Sequence, residues 1–202
     1  MERVLCFSKF LLEDIYGEFD GISFDIDNYS HLIMAPNNHI FVERDRAENS
    51  FIYKQIIPYI ILINSQGDIF NYCRGQKGGE KRLQGGFSIG IGGHLNEDDY
   101  ISDKNKNGYL NGIQRELLEE VDLSIDFARI KMKGFLNISQ TAVDRVHFGV
   151  IHMVKLEEQE LGNKEHGVIE CGAFSSKENI LQDFNYYESW SQMCLINWEK
   201  LI

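Results

Sequence analysis

The stretch "YLNGIQRELLEEV" at 109–121 constrains the chain most, because it reads as one amphipathic helix that sets three glutamates beside a core-facing stripe. Each helical residue advances about 100°. With Glu116 at zero, Glu119 falls near ~300° and Glu120 near ~40°, while Leu110, Ile113, Leu117 and Val121 gather between about 60° and about 140°. The acids therefore share a face next to the apolar one. Glu116 meets Glu119 at i+3 and Glu120 at i+4, like-charge spacings that cost about 0.2–0.5 kcal/mol each. Arg115 can pair with Glu119, which leaves two acids uncompensated. One reading is a solvated acidic face in an acidic protein. The other is a seat for a hard divalent cation such as Mg²⁺, which takes carboxylate and water oxygens in an octahedral shell.

The rest of the chain narrows what such a helix can serve. A length of 202 residues suits one generous domain, or one domain with an appended N-terminal segment, and an apolar share of 43% can close a substantial core. A formal net charge of −11 opposes stable binding to nucleic acid or an anionic membrane, both of which need Lys and Arg to neutralise phosphates. If the partner is a phosphate compound, a cation has to mediate. The longest apolar run, "IIPYIILI" at 56–63, is too short to cross a bilayer and reads as a buried strand. The start, "MERVLCFSKFLLEDIYGEFD", carries acids where a targeting peptide needs a basic region, and Cys6, Cys73, Cys171 and Cys194 are scattered with no metal-ligand spacing. A cytoplasmic protein with reduced structural thiols is the expectation.

No repeat or linker marks a boundary, so residues 1–50 are expected to be an N-terminal extension packed on a core domain spanning 51–202. "YIILI" 59–63, the turn "NSQGD" and "IFNYCR" 69–74 predict a hairpin. A basic glycine-rich loop, 75–86, leads into "FSIGIGG" 87–93, a strand whose glycines admit close approach of other groups. Strands are expected at 128–139 and 145–156, a short helix capped by Ser175 with Glu178, and a final helix with Trp190, Cys194, Trp198 and Leu201 on one core stripe. The order predicts a mixed sheet with a central helix and a helical C-terminus.

"GGHL" at 92–95 followed by "RELLEEVDL" at 115–123 resembles the Nudix (MutT-type) signature, G-x5-E-x7-R-E-U-x-E-E-x-G-U with U aliphatic. Arg115, Glu116, Leu117, Glu119, Glu120 and Leu123 match its second half position by position. "FSIGIGGHLN" and "RGQKGGEKRL" also look like a Nudix subgroup described as predicted phosphoesterases. The resemblance, over about 50–200, implies an α+β fold, an α/β/α sandwich around a mixed β-sheet with a central catalytic helix. Two departures stand out. The early glutamate falls at Asp99, with Asp98 and Glu97 beside it, and the arginine then comes at 115 rather than 107, an insertion of 115 − 107 = 8 residues. The late glycine is Asp122, which suggests a different exit from the helix.

What the resemblance implies chemically is Mg²⁺- or Mn²⁺-dependent cleavage of nucleoside-diphosphate derivatives or related organic diphosphates. Glu119 and Glu120 would be the principal metal ligands, Glu116 a ligand or the general base, the Gly92 carbonyl a further ligand, and Arg115 the residue orienting the glutamates. Relatives recruit a later acid, for which "GNKEHGVIECGAF" offers Glu165 and Glu170; Glu165 is favoured because it sits in the more polar part. Arg74, Lys77, Lys81 and Arg82 form a basic loop able to meet substrate phosphates, and the same positions also suit ordinary exposed cations. "DKNKNGYLN" at 103–111 fits the first half of a calcium loop, but its twelfth position is Gln114, and Asx-turn chemistry explains most of the pattern, so Ca²⁺ in 103–114 is the lesser reading. His94 suits a structural hydrogen bond better than a phosphate contact, and His147 and His152 fall on opposite strand faces. The competing functional reading is a Nudix-like domain that binds a nucleotide and regulates without turnover; an isomerase on the same scaffold is a third. A homodimer is an expectation by the same resemblance.

Overall fold

The structure, a computed structural model, describes residues 2–75, 86–101, 107–157, 161 and 169–202. Its strands are β1 (Arg3–Ser8), β2 (Gly21–Ser23), β3 (Ile40–Glu43), β4 (Tyr53–Ile63), β5 (Ile69–Arg74), β6 (Phe87–Ser88), β7 (Gly90–Ile91), β8 (Lys131–Asn137), β9 (His147–Lys155) and β10 (Ile169–Ser175). The helices are α1 (Lys9–Leu11), α2 (Ile26–Met34), α3 (Arg44–Glu48), α4 (Glu97–Ile101), α5 (Gly108–Val121), α6 (Ala142–Val146), α7 (Lys177–Gln182), α8 (Ser189–Ile196) and α9 (Trp198–Leu201). This is the expected α+β architecture, a mixed β-sheet with helices and with α5 as the acidic helix. Contacts gather into two compact units, each assembled from three stretches of chain.

The first unit takes Met1–Pro58, His94–Ile113 and Met132–Ile151, so the N-terminal segment folds together with residues from the middle of the chain. Strand β1 pairs antiparallel with β3, from Arg3 opposite Glu43 to Cys6 opposite Ile40, and with the start of β4. Strand β2 pairs with β8. The core is aromatic: Phe7 meets Phe148 edge-on at 5.2 Å between centroids, and Tyr29 lies 5.6 Å from Phe135. Such ring pairs add about 0.5–1.5 kcal/mol beyond the area they bury.

The second unit takes Tyr59–Gly93, Gln114–Lys131 and His152–Ile202. The predicted hairpin is present: Ile63 pairs with Ile69, and Asn64 Oδ1 accepts from the Gln66 and Asp68 amides at 3.0 and 2.8 Å while Gly67 takes φ 89°. Strand β10 completes this edge by pairing with β5, Ile169 opposite Arg74 and Phe174 opposite Phe70. Its register shifts between Glu170 and Ala173, where Cys171 adopts φ 50°. The glycine-laden strand is two short pieces, β6 on β5 and β7 on β4. A side chain at Gly90 would collide with the Tyr59 ring, the close approach its glycines foretold.

Local details differ from the sequence reading at three points. The cap of α7 is Ser176, whose side chain accepts from the Asn179 amide at 3.3 Å, because Ser175 is still the last residue of β10. The final helix breaks at Asn197 into α8 and α9, although Trp190, Cys194, Trp198 and Leu201 are all buried as the stripe required. The exit of α5 is an ordinary left-handed one. Asp122 holds φ 50°, its amide donates to the Leu118 carbonyl at 3.1 Å, the single bond of an αL closure with aspartate where glycine is usual, and the Leu123 amide reaches back to Leu117 at 3.1 Å.

Candidate active site

Helix α5 turns most of its predicted apolar stripe inward: Ile113, Leu117 and Val121 are buried, whereas Leu110 is only half-buried and Tyr109, beside it, is buried instead. The glutamates at the edge of that stripe part company. Glu119 projects outward, its side chain 54% exposed, and is bound by Arg115 at 3.2 Å. Glu116 is buried and also paired with Arg115, at 2.7 Å. One guanidinium thus serves two of the three acids, and Glu120 is the one it leaves.

Glu120 Oε2 is buried and has no hydrogen-bond partner among the described residues. Burial, opposed by Arg74 and reinforced by Glu116, Glu188 and Glu119, pushes its carboxyl up to about 8. An unpartnered carboxylate oxygen inside a protein costs about 1–3 kcal/mol or more, so the arrangement is expensive unless something else comes to it. The glycine turn lies against the neighbouring acid: a side chain at Gly93 would place its Cβ 2.5 Å from Glu116 Oε2 and push that carboxylate aside.

These features fit a hard divalent cation: a carboxylate oxygen that lacks a donor, a second carboxylate at its side, and a glycine cradle that any Cβ would fill. Among the described residues, no group of three or more His, Cys, Asp or Glu side chains is already arranged around a common ion position. Arg115 accounts for part of that, since it draws Glu116 and Glu119 to itself.

Arg74 closes β5 and is the basic-loop residue that the structure describes; Lys77, Lys81 and Arg82 lie outside the described residues, as does Glu165. Burial would weaken the guanidinium, but Glu188, then Tyr72 and Glu120, more than offset this and keep Arg74 firmly charged. Its Nε donates to Glu188 Oε2 at 3.1 Å. Glu188 carries no motif, and apart from Ser191 its side-chain partners, Arg74, Ser88 and Tyr59, lie 100 or more positions away in sequence, so only the fold exposes it. Glu170 has its backbone in β10, opposite Cys73.

The remaining candidates have structural employment. Asp99, in the place of the early glutamate, is buried and accepts from the Asn96 amide at 2.8 Å, capping α4, and Glu97 pairs with Arg3. Gln114, at the calcium pattern's twelfth position, spends its amide on the exit of α5: it donates to the Leu123 carbonyl and accepts from the Ile125 amide. Residues 103–106 of that pattern lie outside the described residues. His94 Nε2 lies 3.3 Å from Nε2 of His147, whose Nδ1–H donates to the Val143 carbonyl at 2.7 Å. No helix among the described residues is long and apolar enough to cross a membrane.

No family model matches the chain. Protein YmaB of Bacillus subtilis (strain 168) is 32% identical over 157 residues, covering 75% of this chain and 74% of that protein. Among solved structures, Tm1382, provisionally assigned as a Nudix hydrolase, matches at TM-score 0.78 and 27% identity over 100% of both chains. The NUDIX domain of Shewanella oneidensis NrtR, solved with ADP ribose, matches at TM-score 0.51 and 13% identity, over 73% of this chain and 86% of that one. At that distance it shares the fold alone. With the whole-chain match, the acidic helix and its glycine turn in agreement, the chain belongs to the Nudix hydrolase family.

Proposed function

We propose that the protein is a metal-dependent hydrolase of nucleoside-diphosphate derivatives or related organic diphosphates. The observation that carries this reading is Glu120: a buried carboxylate oxygen with no donor, on the face of α5 that also bears Glu116 and Glu119. Glu119 and Glu120 are assigned as the principal ligands of Mg²⁺ or Mn²⁺, with Glu116 and the Gly92 carbonyl beside them. When bound, such an ion lowers the pKa of water and stabilises charge on phosphoryl oxygens. Arg115 orients Glu116 and Glu119 through its two ion pairs. Arg74, charged and close enough to bias Glu120, is assigned to the substrate's diphosphate, with Lys81 and Arg82 following it in the same loop. Glu165 or Glu116 takes the proton of the attacking water. The ADP ribose held by the NrtR domain belongs to the same chemical class as the substrate proposed here.

The test is turnover. Pure protein with Mg²⁺ or Mn²⁺ is incubated with a panel of nucleoside-diphosphate compounds, and phosphate is measured after a phosphatase step. One or more compounds are expected to turn over, and Glu120→Gln is expected to cut the rate on the order of a hundredfold or more without unfolding the chain. Silence across the panel, together with thermal stabilisation by one of its compounds, would instead mark a binding domain without turnover.

A further inference from the structure

Glu188 takes no part in the motif, yet it is the best-held carboxylate of the second unit. Its backbone amide donates to the Phe87 carbonyl at 3.0 Å, fixing the start of α8, and its side chain is 6% exposed. Oε1 accepts from Ser88 Oγ at 2.5 Å and from the Tyr59 hydroxyl at 3.1 Å, and Oε2 accepts from Arg74 Nε at 3.1 Å. The donors are themselves fixed. Ser88 Oγ accepts from the Gly90 amide at 3.2 Å, and Ser191 Oγ, which accepts from the Ile89 amide at 3.0 Å, lies 2.7 Å from the Tyr59 hydroxyl. Trp190 packs edge-on against the Tyr59 ring at 5.6 Å.

With Ser191 Oγ also donating to Oε1 at 3.4 Å, four donors meet this carboxylate, which makes it a firm anchor. What it anchors is a planar fork. The bond at Nε uses one of the guanidinium's five donors and fixes its plane, leaving the terminal amino groups, the edge that grips phosphoryl oxygens in pairs, for another anion. Tyr72 holds the same guanidinium from its ring face at 5.8 Å. Arg74 is thus held at Nε by a carboxylate that is itself fixed by Ser88, Tyr59 and Ser191, and from its face by Tyr72.

We propose that Glu188 is a positioning residue: by binding Arg74 Nε, it aims the terminal amino groups of Arg74 at a phosphoryl oxygen of the diphosphate brought to the α5 carboxylates. This rests on the hydrolase reading and adds to it how the substrate is oriented.

The experiment is a double-mutant cycle in steady-state kinetics on the best compound of the panel with saturating Mg²⁺. Glu188→Gln and Arg74→Lys are each expected to raise KM about tenfold while kcat changes much less, the loss typical of a charged hydrogen bond. The double variant is expected to be no worse than either single one, because both remove the same oriented fork. A helix-packing role alone would lower melting temperature and leave KM in place. Should Glu188→Gln fail to fold, Tyr59→Phe removes one donor to Oε1 and keeps the ring, and a raised KM is expected there too. An unchanged KM in whichever variant folds, or losses that multiply in the double variant, overturns the positioning role and leaves the hydrolase reading standing. An unmutated protein silent across the panel overturns both.

Discussion

Buried charge is handled in opposite ways in the two units. In the first, each buried charge is answered by nearby backbone or by its own turn. Asp144 Oδ2 accepts from the Thr141 amide and hydroxyl at 2.9 and 2.7 Å, Asp99 caps α4, and Lys54 donates to the Asp144 and His147 carbonyls at 3.4 and 3.3 Å. In the second, the half-buried Glu120, Arg74 and Glu188 lie where their fields reach one another, and one buried carboxylate oxygen has no donor among the described residues. Buried Lys54 and half-buried Arg74 show the difference. Lys54, held by carbonyls, is pulled down to about 8 by burial, whereas Arg74, held by a carboxylate, stays firmly charged. Charge in the first unit stabilises the fold locally. In the second, Arg74 and Glu188 satisfy each other while Glu120 Oε2 is left without a donor among the described residues.

The largest effect that would sharpen this contrast is a pH response at Lys54. Its folded pKa lies below the ordinary 10.5, so the unfolded chain binds more protons between about 8 and 10.5. Stability of the native protein therefore rises with pH across that window, by about 3 kcal/mol in all, and Lys54→Met should flatten the rise. Urea unfolding at a series of pH values reads it; a slope that survives Lys54→Met would place the titrating group elsewhere. Next in size is Thr141→Ala, which removes one half of the capping box of α6 and should cost about 1 kcal/mol. Turnover should be untouched, and a loss of activity without a matching loss of stability would break the division between the units. Smallest is Asp122→Gly, expected to raise stability by about 0.5–1 kcal/mol because φ 50° suits glycine better than any residue with a Cβ. A destabilised variant would show that the aspartate side chain supports the exit of α5.

What the sequence disclosed follows from the range of the interactions concerned. The stripe of α5 and the hairpin around Asn64 rest on contacts a few residues apart, so periodicity and turn residues announced them. Which glutamate would be orphaned did not follow from helix angles, because Arg115 reaches Glu116 at i+1 as well as Glu119 at i+4. Asp122 misled because the sequence shows a missing glycine and not the backbone angle that aspartate also tolerates. Strand β10 falls on the more apolar run that begins near Glu170, which the sequence reading did not assign to a strand. Glu188 was out of reach altogether: nothing in "NYYE" hints at Arg74, 114 positions earlier, and the pairing exists only once β5, β6 and α8 are assembled.

The account stands on a divalent ion meeting the α5 carboxylates at Glu120. Titration of Mn²⁺ into the metal-free protein, followed by the loss of the free-ion paramagnetic resonance signal, measures this without any substrate. Saturable binding that Glu120→Gln weakens about tenfold or more, with the fold intact by circular dichroism, is the predicted result. Binding that Glu120→Gln leaves unchanged, or no binding at millimolar Mn²⁺, would contradict it.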